Sequence, residues 1–86
     1  MKISIEIPDY KPESGIKYKW EEGFEIKAVT NKGVIIITAN KDGLISLANH
    51  FLNLAQDEIP AGHHLHFDEY NSLEEGSNEL IIQKII

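Results

Sequence analysis

Residues 24–56 read FEIKAVTNKGVIIITANKDGLISLANHFLNLAQ, and the fold is decided there. Phe24, Ile26 and Ala28 alternate with other residues, the period of a strand with one buried face. Asn31-Lys32-Gly33 follows as a turn that tolerates positive φ, and residues 34–39 (VIIITA) resume the strand, so the segment is a hairpin. Val34, Ile35, Ile36 and Ile37 have no polar alternate, which predicts a central strand covered on both faces, in part by a partner or a helix. The period then changes. Leu44, Leu47, Ala48, Phe51, Leu52, Leu54 and Ala55 recur at three- and four-residue spacing, which predicts a helix over residues 40–56 whose stripe covers a sheet. Asn40 or Asp42 caps it, since either side-chain oxygen can accept the free N–H groups of the first turn. Asp57-Glu58 is unfavourable at the negative end of the helix dipole, and Pro60 and Gly62 then break the chain.

Outward from this unit the pattern is weaker. Residues 2–7 (KISIEI) alternate as a strand closed by Pro8, and residues 8–15 (PDYKPESG) read as a loop. Ile16, Tyr18 and Trp20 alternate with Lys17 and Lys19, as a short strand or an extended arm. After the helix, residues 63–70 (HHLHFDEY) place Leu65 and Phe67 on one strand face and His64, His66 and Asp68 on the other. An acidic turn over residues 71–78 leads to a final strand, residues 79–86 (ELIIQKII). The order β-(β)-ββ-α-ββ gives a single α+β domain over residues 1–86. It has one helix packed on one face of a mostly antiparallel sheet of four to five strands.

Composition bounds the function. Eighty-six residues with 42% apolar content can fill one modest core. The absence of cysteine removes disulfides, thiol chemistry and thiolate zinc sites, and fits a reducing cytoplasm. No secretory leader pattern opens the chain, and its longest apolar run is far short of the roughly 20 residues a membrane span needs. The charge is lopsided: the first 41 residues carry seven Lys and six acids, the last 45 one Lys and eight acids, for a net −6. No Lys or Arg lies between Asp42 and Gln83. Such a face repels nucleic acid and anionic lipid and attracts a basic protein.

Three constellations carry candidate chemistry. His64, His66 and Asp68 occupy one strand face at successive spacings of about 7 Å. That set suits a metal- or small-ligand-binding module, or simply a polar strand face. No serine has the context of an activated nucleophile, and Gly15, Gly33 and Gly43 are too isolated to cradle a phosphate, so catalysis and a cofactor are not expected. Trp20, with Tyr18 and Tyr10, is either an exposed anchor or a core residue over the sheet edge. The carboxylates Asp57, Glu58, Asp68, Glu69, Glu74, Glu75 and Glu79 form a recognition surface for a basic partner, or a merely solvated one. The apolar last strand offers an edge through which two copies can pair as a homodimer.

From the helix onward a family resemblance appears. Gly43-Leu44, Leu47-Ala48, Phe51-Leu52 and Leu54-Ala55 are followed by His64-Leu65-His66, Leu73, Ser77 and Glu79-Leu80-Ile81-Ile82. Together these resemble immunity protein family 32 of bacterial polymorphic toxin systems, over roughly residues 38–86. The resemblance implies an antidote that binds a cognate toxin domain in the cytoplasm of the producing cell and blocks it without catalysis. His64 and His66 are then part of the strand motif, either defining the fold or contributing to the contact face. Where the toxin is a nuclease with a basic site, carboxylates stand in for phosphates and steer association.

Overall fold

The computed structural model describes residues 1–86, with elements in the order β1 (Ile26–Asn31), β2 (Val34–Ala39), α1 (Lys41–Leu54), β3 (His64–Phe67) and β4 (Leu80–Gln83). β1 and β2 pair antiparallel with Val29 opposite Ile36, and β3 and β4 pair antiparallel with Leu65 opposite Ile82. These are two separate two-stranded sheets, not one sheet of four or five strands. The reason lies at the outer edge of β1. Residues 74–78 occupy it with a mixture of main-chain and side-chain groups rather than a regular ladder. The Glu74 N–H donates to the Ile26 carbonyl (2.8 Å) and the Asn78 N–H to the Ala28 carbonyl (2.7 Å). The Ala28 and Thr30 N–H groups donate to Ser77 Oγ and Asn78 Oδ1, at 3.2 and 2.9 Å. Gly76, at φ 87°, bends this segment away before it becomes β4.

Neither N-terminal pattern becomes a strand. Residues 2–7 have no ladder partner, and Ile3 is exposed. Residues 16–20 form an extended arm after a single bridge between Lys11 and Gly15. Asn40 is the helix cap: its Oδ1 accepts the N–H of Gly43 at 2.8 Å and of Glu25 at 3.0 Å, while its Nδ2 donates to the Gly23 carbonyl at 2.9 Å. One side chain therefore closes the helix and pins it to the hairpin. Gly43 sits where α1 touches β1: a Cβ there would lie 2.5 Å from the Glu25 carbonyl oxygen and 2.9 Å from Ile26 Cγ1.

The buried face of α1 is not the apolar stripe that the spacing predicts. Leu47 and Leu54 are buried, but so are Ser46, Asn49, His50 and Asn53, whereas Leu44, Phe51 and Leu52 are exposed. Ser46 and Gln56 turn inward to main-chain groups of the arm, whereas Asn53 Nδ2 donates to Asn49. Ser46 Oγ accepts the Glu21 N–H at 2.8 Å and donates to the Asp42 carbonyl; Gln56 Oε1 accepts the Tyr10 N–H at 2.9 Å. The core joins Ile26, Ala28, Leu47, Leu54, Ile59, Leu65, Phe67 and Leu73, with Trp20 and Phe24 packed on it. β2 is likewise not covered: Val34, Ile35, Ile36 and Ile37 are all exposed. No helix is long and apolar enough to cross a membrane.

Candidate functional site

The acidic residues sort into groups around the β3–β4 hairpin. At its Phe67–Leu80 end, Asp68 closes a tight turn. Its Oδ1 accepts the N–H groups of Tyr70 (2.9 Å) and Asn71 (3.0 Å), and its main-chain carbonyl accepts those of Ser72 and Leu73. Asn71 returns the favour to β3, its Oδ1 accepting the Asp68 N–H and its Nδ2 donating to the His66 carbonyl. Such an Asx-type turn fixes the backbone that carries Glu69 and Tyr70. Glu69 Oε2 accepts the Gly76 N–H at 3.1 Å, which draws the following acidic loop toward it. Glu69, Tyr70 and Glu75 line one open recess, and Tyr70 projects from it 90% exposed.

His66 belongs to the same end. Its Nε2 lies 3.1 Å from Glu79 Oε1 and 3.8 Å from Asp68 Oδ2, so the ring is held between two carboxylates. On its other side a cavity of about 190 Å³ is lined by Tyr18, Trp20, His66, Phe67 and Asn71. Trp20 forms its back wall, stacked on Phe24 with ring centroids 4.4 Å apart and edge-on to Phe67 at 6.1 Å. Trp20 is thus half-buried core with one surface turned to this recess.

The remaining acids stand elsewhere. Asp57 and Glu58 leave the helix at the opposite, His63–Lys84 end of the hairpin, where Lys84 Nζ donates to the Gln56 and Ile59 carbonyls. Glu74 lines a shallow recess against Lys27 and Thr38 of the first hairpin. The residues named from the sequence therefore do not form one face. Asp68, Glu69, Glu75, Glu79 and His66 come together, joined by Tyr70, which the linear charge pattern does not single out. Their grouping depends on the pairing of Phe67 with Leu80, a long-range contact.

His64 and His66 both point outward from β3, as the alternation predicts, and Leu65 and Phe67 are buried beneath them. His64 stands opposite Gln83, at the end of the ladder away from Asp68. No group of three or more His, Asp or Glu side chains is arranged to hold a metal ion, so the trio His64, His66 and Asp68 does not converge as a ligand set.

One family model matches this chain: that of Immunity protein 32, over residues 34–85, a span from the start of β2 to beyond β4. No curated protein and no solved structure matches it.

Proposed function

The chain belongs to the Immunity protein 32 family, whose model covers more than half of its length, and from that premise we propose that it neutralises a cognate toxin domain by direct binding. The toxin is a basic protein, and the contact is made by the acidic end of the β3–β4 hairpin. Its residues are His66, Asp68, Glu69, Glu75 and Glu79, with Tyr70 as an aromatic anchor among them. The observation that supports this reading is the grouping of four carboxylates at one end of the hairpin, Asp68 and Glu79 beside His66 and Glu69 and Glu75 around one open recess, with Lys27 Nζ approaching the loop at Gly76. A basic active site built to hold phosphates meets such a surface with complementary charge, which accelerates encounter at low ionic strength.

Asp57, Glu58 and Glu74 enlarge the negative field without belonging to the contact centre, and His64 lies outside that centre. The aromatic recess beside His66 fits a long partner side chain, whose cationic end would reach Asp68 or Glu79 while its stem lies along Trp20 and Tyr18. In this reading the protein is an inhibitor with no catalytic step and no cofactor, acting in the cytoplasm of a bacterial cell that makes the toxin.

The test is co-production with the toxin-like domain encoded in the neighbouring reading frame. Rescue of growth, together with co-purification of a stoichiometric complex, is the expected result. Absence of any toxin-like neighbour, or of binding to it, would remove this function.

A further inference from the structure

The molecule leaves more surface open than its size requires. It exposes 6213 Å², about 1,100 Å² above the roughly 5,100 Å² typical of a compact monomer of this mass. The N-terminal arm accounts for part of the excess. The most concentrated apolar part is β2, where Ile35 is 69% and Val34 57% exposed, with Ile36 and Ile37 close behind. Leu44, one turn into the helix that follows, is exposed as well.

The open edge of β2 is also unpaired. Ala28 turns both its N–H and its C=O toward residues 77 and 78, and Thr30 turns its N–H to Asn78. Their partners across the hairpin are Ile37 and Ile35. In an antiparallel ladder these are the non-hydrogen-bonded pairs, so the main-chain groups of Ile35 and Ile37 point out of the sheet. Natural edge strands are blunted by Lys, Pro, bulges or a covering loop. Residues 33–40 contain no charge and no proline, and β2 pairs with nothing but β1.

We propose that this edge is occupied by β2 of a second copy, paired antiparallel about a two-fold axis through Ile36. The two hairpins join into a four-stranded sheet, β1-β2-β2-β1, with Ile35 of each copy hydrogen-bonded opposite Ile37 of the other. The arrangement is self-complementary. The alternation of outward main-chain groups is preserved, and Lys32 falls opposite Asn40, so no like charges confront one another. Charge favours a second copy over a basic partner here. Residues 24–41 carry Lys27, Lys32 and Lys41 against Glu25 alone, while the net −7 lies in the last 45 residues. Two copies therefore meet where their mutual repulsion is least, and a basic protein is drawn to the other hairpin. β4 is a poorer seam: it is four residues long, and Glu79 precedes it. This inference does not rest on the antidote reading.

Sedimentation velocity on the purified full chain across micromolar concentrations tests it. A species of twice the chain mass is expected. Ile37→Lys should raise the dimer dissociation constant by at least about a hundredfold, whereas Ile81→Lys on β4 should leave it unchanged. Should Ile37→Lys fail to fold, amide exchange on the wild-type chain decides: the Ile35 and Ile37 amides become protected as concentration rises. A monomer at every concentration overturns the proposal, as does a dimer broken by Ile81→Lys alone. Protection of those two amides only when the toxin is added also overturns it, assigning the edge to that partner.

Discussion

The imidazole of His50 lies edge-on to the indole of Trp20, with ring centroids 4.2 Å apart and planes at 66°, and neither of its nitrogens has a hydrogen-bond partner. Tyr18 and Phe67 close the box at 5.1 and 6.0 Å, and the ring is fully buried. Burial in this aromatic surround favours the neutral form and lowers the His50 pKa to about 4.

A pH dependence of stability follows, with a definite sign. The folded pKa is below the unfolded value, so the unfolded chain takes up the proton first as pH falls. The native state keeps its full stability above about pH 6.5 and loses it progressively between there and about pH 4, by up to roughly 3 kcal/mol. In His50→Leu the orphaned polar atoms are gone, so this variant should be at least as stable as the parent at pH 7 and should lack that part of the acid slope. Urea unfolding at several pH values checks both; an unaltered slope would refute the role of His50.

Gly43→Ala should be destabilising despite the better helix propensity of alanine. The added methyl meets the Glu25 carbonyl oxygen at 2.5 Å and Ala39 Cβ at 3.2 Å, so the helix start must move off the hairpin. A loss of about 1–3 kcal/mol is expected, read as a lower urea midpoint with an unchanged slope.

Ser46→Ala removes the acceptor of the Glu21 N–H. Its cost should be about 1–3 kcal/mol, and it should fall on the arm rather than on the hairpins. Trp20, the chain's single tryptophan, reports this directly: its emission should shift to the red while the far-ultraviolet spectrum is kept. No change in emission would mean that the arm is held by other contacts.

Charge reversal separates the two ends of the β3–β4 hairpin. Glu79→Lys should slow association with the toxin about tenfold at low ionic strength, with the difference shrinking as salt rises. Asp57→Lys, at the far end, should change it much less. Equal effects would show that net charge matters and location does not.

How far the sequence reveals the fold depends on the range of the contacts. The helix, the first hairpin and the inward Leu65 and Phe67 are local and readable from spacing, which narrows the cap to Asn40 or Asp42 and leaves the hairpin register open. The buried flank of α1 was not readable, because Ser46 and Gln56 turn inward to satisfy the Glu21 and Tyr10 main chain, partners 25 and 46 residues away. The division into two sheets was hidden for the same reason. Ser77 and Asn78 occupy the β1 edge with side-chain oxygens, which no periodicity signals. The carboxylates looked like one face because sequence shows their number and not their separation by the length of a hairpin.

The position of Asn40 bears on how the chain reaches this structure. Its side chain ties Gly23, Glu25 and Gly43, all within 17 residues of it. Contacts so close in sequence cost little loop entropy, so hairpin and helix form early as one unit. The arm and the C-terminal hairpin, tied by contacts across 25 to 49 residues, condense onto it later. Pulse-labelled amide exchange should find Val29 and Leu47 protected before Leu65. During that interval the edge of β2 is already complete and the rest of the core is not, which makes it the first surface on which two nascent chains can meet.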